Sequence, residues 1–366
     1  DLCAYFFLRA FMLLCECGYF GLLATKSISE TGSRIVCLDQ ILASGGLIYS
    51  AYSRFPWPGT AAVIVSIVWV ARAWNGSSLL DDKVVASITG GLEEDLMVKE
   101  PRKLKELKGQ FSQGQDVMGR GFELTAGERA AMLKAAPECA DVIFPLFNGR
   151  DLNTKPTLEP DRWVIYFRDW SQQKARQYAP AFRRVEESVK PYRDSLTGQI
   201  HQDCFWKFWD LRPGLMRAFA RMSHVLAIAS VTKHLCVSRV PTSAVYNMQI
   251  KILYFDGFQE FAVLQSTLHE VWARWRCGTL GASTLRYSTT AVLETWPMPE
   301  MTDELERVGE QYATLRDQIR RDESLGLTAL YNQFHDPTKT STRMIALREL
   351  HREMDIAVLR AYGWAD

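Results

Sequence analysis

From its first residues the chain places apolar side chains on nearly every face of a helix. Tyr5, Phe6, Phe7, Leu8, Phe11, Met12, Leu13 and Leu14 all fall within residues 1–17, with Asp1 at the N-cap position and Gly18 as the stop. A helix that is apolar all round is expected to be buried, here against a sheet. Tyr19 to Thr25 follows as a short continuous apolar run, the pattern of a strand covered on both faces. A second helix is expected over 29–43, ended by Gly45-Gly46. Leu47 to Phe55 and Ala61 to Val70 read as strands, and the Pro56-Trp57-Pro58-Gly59 linker between them is too short for a crossover helix. The two must therefore pair antiparallel. This order describes the closing half of an otherwise parallel sheet whose last strand is reversed.

Around Trp74-Asn75-Gly76 the texture changes. Residues 75–110 mix turn formers with a basic stretch (Lys99, Arg102, Lys103, Lys105, Lys108) and read as a hairpin followed by a connection. From 111 to about 299, strands at Trp163 to Phe167, Val225 to Ser230 and Lys251 to Phe255 alternate with helices at Ala126 to Ala135, Phe182 to Val189 and Phe258 to Trp275. That alternation predicts an α+β domain. Beyond Thr302, residues 303–323 and 340–361 carry helical spacing on either side of Tyr331 to Pro337, so an antiparallel helical pair is expected. The expected divisions are 1–74, 75–299 and 300–366.

Composition narrows the class. With 366 residues, 47% of them hydrophobic and 23% charged, the chain is long enough for two or three folding units and lacks the polar bias of disordered segments. The formal net charge is only +1, so no overall basic balance announces nucleic acid. Eight cysteines have no repeating spacing, and Cys15-Glu16-Cys17 lacks the second pair of a zinc site. Six scattered histidines make no metal spacing, so no metal is expected, and reduced thiols in a bacterial cytoplasm are. Arg9 and Glu16 interrupt the opening apolar segment, which argues against a membrane anchor. Neither a nucleophile elbow nor a phosphate-cradling Gly-Lys-Ser/Thr loop occurs. The chain begins at Asp1 without methionine or charged leader and reads as a fragment.

The stretch Ser53-Arg54-Phe55-Pro56-Trp57-Pro58-Gly59 sits between the last two strands of the first region, near the carboxyl edge where open α/β sheets hold ligands. It is either a hydrophobic turn packed on its own domain or an aromatic platform for an extruded base. The blocks GYFGLLATKSI (18–28) and RFPWPGTAAVIVSIVWV (54–70) resemble the later motifs of the gamma-class N6-adenine DNA methyltransferases, particularly those of type IIG restriction-modification proteins. NGRDLN (148–153), WVIYF (163–167), FAVLQSTLHEVWA (261–273), RYSTTAVLETWPMP (286–299) and LRELHREMDIAVLRAYGW (347–364) agree in order, so the resemblance spans nearly the whole chain.

That resemblance implies a class I methyltransferase sheet closed by an antiparallel final hairpin (1–74), an α+β target-recognition domain (75–299) and a C-terminal helical pair (300–366). It implies Phe55 as the aromatic that faces the flipped base. Arg150 and Arg286 are implied to contact DNA, since a guanidinium fork matches phosphate and guanine edges; the plainer alternative is that Arg150 and Asp151 tie down a turn. For Lys233, phosphate contact and an ordinary strand-end charge stand side by side. The family also carries a glycine-bearing cofactor motif and an Asn-Pro-Pro-aromatic tetrad. Neither is present, and no Asn-Pro pair occurs anywhere. No catalytic residue is therefore expected here. The intact protein would use S-adenosylmethionine and double-stranded DNA, with this chain joined to the upstream half of the methyltransferase domain and inactive alone. The rival functions are a stand-alone DNA-binding specificity module serving a separate catalytic chain, and a methyltransferase acting on something other than DNA.

Overall fold

Apolar spacing in the first hundred residues produces an open mixed sheet with two reversed strands. The computed structural model describes residues 2–61, 63–94, 101–196, 202–277, 279–280 and 284–364. Asp1, expected as an N-cap, and Lys99 of the basic stretch lie outside the described residues. The chain divides into two compact units: Asp1–Lys103 with Arg274–Arg286, and Leu104–Ala273 with Tyr287–Asp366. The boundaries expected at 74/75 and 299/300 fall inside the first and the second unit respectively.

In the first unit α1 (Cys3–Leu13) precedes β1 (Tyr19–Thr25), α2 (Thr31–Ile35), α3 (Leu38–Ala43), β2 (Leu47–Pro56), β3 (Ile64–Ala71), β4 (Ser78–Leu80) and β5 (Lys83–Val85). The sheet order is β1-β3-β2-β4-β5. β3 runs antiparallel to both neighbours, from Tyr19↔Ala71 on one side and Leu47↔Ala71 on the other, while β4 joins β2 in parallel. The expected antiparallel pairing of the two strands around the Pro-Trp-Pro-Gly turn is thus present. Its register breaks between Tyr52 and Phe55.

Three expectations for this unit are corrected. α1 is shorter than predicted and buries only the stripe Ala4, Phe7 and Phe11, leaving Leu2, Tyr5, Phe6, Met12 and Leu13 exposed among the described residues. β1 alternates instead of being covered on both faces, with Tyr19 and Leu23 exposed among the described residues. The helix expected over 29–43 is broken at Val36-Cys37 into two short pieces. Its end falls where expected: Gly45 adopts φ +82, the left-handed conformation that closes a helix. The core is formed by α1, α3 and the inner faces of β2 and β3, through Phe7, Phe11, Leu38, Ile41, Ile48, Val68 and Val70. Arg72 closes α1 by donating to the carbonyls of Leu14 at 3.1 Å and Phe11 at 3.2 Å.

The second unit contains β6 (Phe111–Gln113), β7 (Glu123–Thr125), α4 (Ala126–Ala135), β8 (Ile143–Phe147), α5 (Gly149–Thr154), β9 (Arg162–Ile165), α6 (Gln172–Ala175), α7 (Ala179–Ser188), α8 (Lys190–Asp194), α9 (Pro213–Phe219) and β10 (His224–Ala229). It continues with β11 (Val231–Thr232), β12 (Ser238–Pro241), β13 (Val245–Tyr246), β14 (Ile250–Leu253), α10 (Phe258–Gln265), α11 (Thr267–Arg276, its last turn counted with the first unit), α12 (Thr289–Val292), α13 (Asp303–Asp322), α14 (Leu327–Phe334) and α15 (Thr342–Ala361). β12-β10-β14-β6 form one antiparallel sheet and β13-β8-β9-β7 a mixed one. Separate cores of Phe122, Val164, Phe167 and Phe182, and of Val225, Val240, Tyr246 and Ile252, lie on them.

The single helix expected over Phe258 to Trp275 is instead two, parted at the buried Ser266. Ser266 takes extended geometry (ψ 157) and its hydroxyl accepts from the His269 N–H at 3.3 Å, so a capping serine overrides the continuous apolar spacing. The expected C-terminal pair gains a third helix, α14, from the segment treated as its separator. Arg360 of α15 pairs with Glu304 at 2.9 Å and Arg343 with Asp322 at 2.7 Å, so opposite ends of α13 and α15 meet and the two run antiparallel.

Candidate nucleic-acid interface

Two left-handed residues fix the far end of β2. Asp81 and Asp82, at φ 49 and 65, make the tight turn between β4 and β5, a conformation that short polar side chains tolerate. The turn brings the Asp81 carboxylate to Ser53, where it accepts from the backbone N–H at 2.8 Å and from the hydroxyl at 2.7 Å, and Asp82 accepts from the Tyr52 hydroxyl. Ser66 donates to the Ser53 carbonyl at 2.8 Å from the neighbouring strand. Ser53-Arg54-Phe55 is therefore held on a braced strand end.

Beside that end lies a cavity of about 590 Å³, wholly within the first unit. Lys26, Arg34 and Arg54 line it together with Arg274, Trp275 and Arg276 of the returning segment, and Glu30, Asp81, Glu93 and Glu94 supply acidic wall. Lys26 faces Glu30 at 3.8 Å and Arg34 meets Asp39 at 3.2 Å. Burial holds the Lys26 ammonium below its usual range, Glu30 opposes that shift and Arg54 adds to it. The lining thus mixes cationic and anionic side chains around a polar space.

The residues singled out in the sequence are distributed over both units. Phe55 is 38% exposed near the end of β2, its ring 5.8 Å from that of Tyr52, and is no part of the core. It does not line the cavity, although its neighbours Ser53 and Arg54 do. Arg286 is exposed at the end of a small hairpin of Thr279–Leu280 and Thr284–Arg286 in the first unit. Arg150 and Lys233 belong to the second unit. Arg150 is exposed in the first turn of α5. Its neighbour Asp151 is the brace: it closes a reciprocal cap with Asn148 and accepts from Arg162 at 2.6 Å. Lys233 donates to Asn332 of α14 at 2.6 Å, and His234 lies 3.0 Å from the same oxygen, a strand-end tie to the C-terminal helices. Among the described residues no group of three His, Cys, Asp or Glu is placed to hold a metal ion, and no helix is long and apolar enough to cross a membrane.

Over residues 93–300 the sequence matches the family model described as the target recognition domain of MmeI. The chain belongs to that family. Among solved structures it is similar to the type IIL restriction-modification enzyme MmeI in complex with DNA, at a TM-score of 0.79 and 18% identity over 100% of this chain and 50% of that one. At that identity the likeness shows a shared fold, and the chain spans half the length of the solved protein. The type IIG restriction endonuclease BpuSI aligns over 98% of this chain and 49% of its own at 10% identity, with a TM-score of 0.30 too low to carry an argument. No curated protein sequence matches. The resemblance seen in the ordered sequence blocks thus holds at the level of a target recognition domain of the type II restriction-modification proteins.

The MmeI family match takes in Arg150, Lys233, Arg286 and the whole returning segment 274–286, and leaves Phe55 outside it. Sequence reasoning missed the lining cluster of Lys26, Arg34, Arg54, Arg274 and Trp275. No local signal marks it, because its two halves are far apart in the chain and meet only through the fold.

Proposed function

We propose that the chain is the recognition portion of a site-specific DNA methyltransferase of a restriction-modification system, one that moves a methyl group from S-adenosylmethionine to the N6 amine of adenine in duplex DNA. The observation that carries this reading is the strand order of the first unit. β3 lies between β1 and β2 and runs against both, so β1 and β2 are parallel with a reversed strand between them. That is how class I methyltransferase sheets close, and here it coincides with the blocks resembling their later motifs. Family membership supports the DNA half of the reading, and so does the relative MmeI, solved with DNA.

In this reading Phe55 stacks on the extruded adenine, while Arg150 and Arg286 meet the duplex, with Lys233 at its edge. The partners are double-stranded DNA and the upstream half of the methyltransferase domain, in a bacterial cytoplasm. The residues present do not by themselves fit S-adenosylmethionine: β1 runs into the segment Lys26–Ser29 with no glycine-rich turn, and the Asn-Pro-Pro-aromatic tetrad is missing. The chain alone is expected to transfer no methyl group, and no step is derived through the cofactor.

The test is duplex binding by the 366-residue chain, followed by fluorescence anisotropy at rising salt. Expected is weak binding, on the order of 10⁻⁴ to 10⁻⁶ M at physiological salt, that falls steeply as salt rises. Binding indifferent to salt, or none at low salt, overturns the DNA reading. In the full-length enzyme Phe55→Ala is expected to weaken engagement of the flipped base roughly 5- to 150-fold, the worth of about 1–3 kcal/mol of stacking, with the melting temperature unchanged. The fluorescence of 2-aminopurine at the target position reports it, and wild-type emission together with a wild-type methylation rate would remove Phe55 from that role.

A further inference from the structure

A second cavity, of about 160 Å³, lies wholly within the second unit. Its lining gathers Arg239, Arg316, Arg320 and Arg321 with Ser238 and one carboxylate, that of Asp317. Arg316 and Arg320 are 1% and 6% exposed. Their donors go mostly to neutral acceptors: Arg316 Nη1 to the Val237 carbonyl at 2.8 Å and Gln265 Oε1 at 3.3 Å, and Arg320 Nη2 to the Lys155 carbonyl at 2.9 Å. Only Arg320 Nη1 donates to Asp317, at 3.1 Å, and Arg316 Nε stands 3.6 Å from the same carboxylate. Arg239 likewise spends Nε on a carbonyl, that of Asp256, at 2.8 Å. Carbonyls satisfy hydrogen bonds without cancelling charge, so four cations face one anion across this lining. Burial, with the neighbouring Arg316 adding, pushes the Arg320 guanidinium below its ordinary range.

The polar atoms tell the same story. Ser238 is 4% exposed, and its Oγ has no hydrogen-bond partner; the same holds for Nε of Arg316 and Nε of Arg320. Folded proteins pair nearly all buried polar atoms, so two orphans, Ser238 Oγ and Arg320 Nε, beside an Arg316 Nε that has only the Asp317 carboxylate at 3.6 Å, call for a ligand that accepts hydrogen bonds and carries negative charge. The cavity is smaller than the clefts of about 300–1,000 Å³ that take drug-sized molecules.

We propose that this cavity binds a phosphate-class oxyanion, with Arg239, Arg316, Arg320 and Arg321 taking its charge and Ser238 Oγ donating a hydrogen bond to it. Two sources share that chemistry, an internucleotide phosphate of bound duplex and a free phosphate, and the proposal does not rest on the methyltransferase reading.

Inorganic phosphate titrated into the intact chain at constant ionic strength, with chloride as the control, tests it by thermal shift and calorimetry. Expected is a saturable, single-site stabilisation beyond that of chloride. Arg321→Gln, in an exposed side chain at the end of α13, and separately Ser238→Ala, are expected to weaken phosphate about tenfold. Circular dichroism checks that both variants fold. If added duplex displaces phosphate, the ligand is a DNA backbone phosphate; if phosphate binds equally with and without duplex, it is a free anion, and either supports the site. Stabilisation no greater than chloride's, or equal in wild type and Arg321→Gln, overturns it. Since the phosphate titration contains no DNA, its failure is separable from failure of the DNA reading.

Discussion

Asp151 and Arg150 are adjacent, and the structure gives them opposite work. Asp151 caps α5 with Asn148, receives Arg162 at 2.6 Å and stands 3.9 Å from Lys155, with its side chain 10% exposed. Its removal takes the shortest ion pair from a guanidinium that keeps Asp161 at 3.6 Å and Glu123 at 3.9 Å, and opens a helix N-terminus, so Asp151→Ala is expected to lower stability by about 1–2 kcal/mol in urea unfolding. Arg150→Ala is expected to stay within about 0.5 kcal/mol. If Arg150 meets phosphate, the same variant should shallow the salt dependence of duplex binding by about one charge; an unchanged slope would place Arg150 away from DNA. The sequence Asn148-Gly149-Arg150-Asp151 announced the turn. It could not say which charge was the brace, because the deciding partner stands at position 162 on another strand.

Elements were legible where spacing and caps agreed. β1 and α4 fall on the predicted residues, Tyr19–Thr25 and Ala126–Ala135, the second closed by a reciprocal cap between Thr125 and Glu128. They were misread where packing or a lone serine overrode spacing, as in the half-exposed α1 and the break at Ser266. Gly309 is the converse case. In the middle of α13 it reads as a weakness costing about 1 kcal/mol against alanine. A Cβ there would run into the Phe258 carbonyl oxygen and sit 3.2 Å from the Ala262 Cβ, so the glycine lets α13 lie close on α10. Gly309→Ala is therefore expected to destabilise by about 1–3 kcal/mol, read as a lowered melting temperature. A raised one would mean that the two helices do not need this approach.

Across the whole molecule, buried histidines tie stability to pH. His269 is fully buried; its Nδ1 donates to the Leu264 carbonyl at 2.6 Å while Nε2 accepts from Tyr287 at 3.1 Å, and burial pulls its pKa down to about 4, the hydrogen bond to Leu264 opposing. Burial also lowers His234 and His351. With the folded value depressed, the unfolded chain takes up the proton first: stability is full above about pH 6.5 and falls as pH drops toward 4, by about 3 kcal/mol for His269. His269→Gln can keep both hydrogen bonds without titrating, so the wild-type advantage over it should shrink by about 1.4 kcal/mol per pH unit between roughly pH 6 and 5. A pH-independent difference would mean that His269 is not neutral and buried. None of this was legible in a scattered histidine. Nor was the return of Arg274–Arg286 to the first unit, which apolar periodicity cannot register because it records faces and not destinations. That return bears on anyone who would exchange recognition modules between related enzymes. The second unit is two lengths of chain, Leu104–Ala273 and Tyr287–Asp366, so a graft that keeps it whole has to be cut on both sides of 274–286 and leave the host's own 274–286 stitched between the pieces.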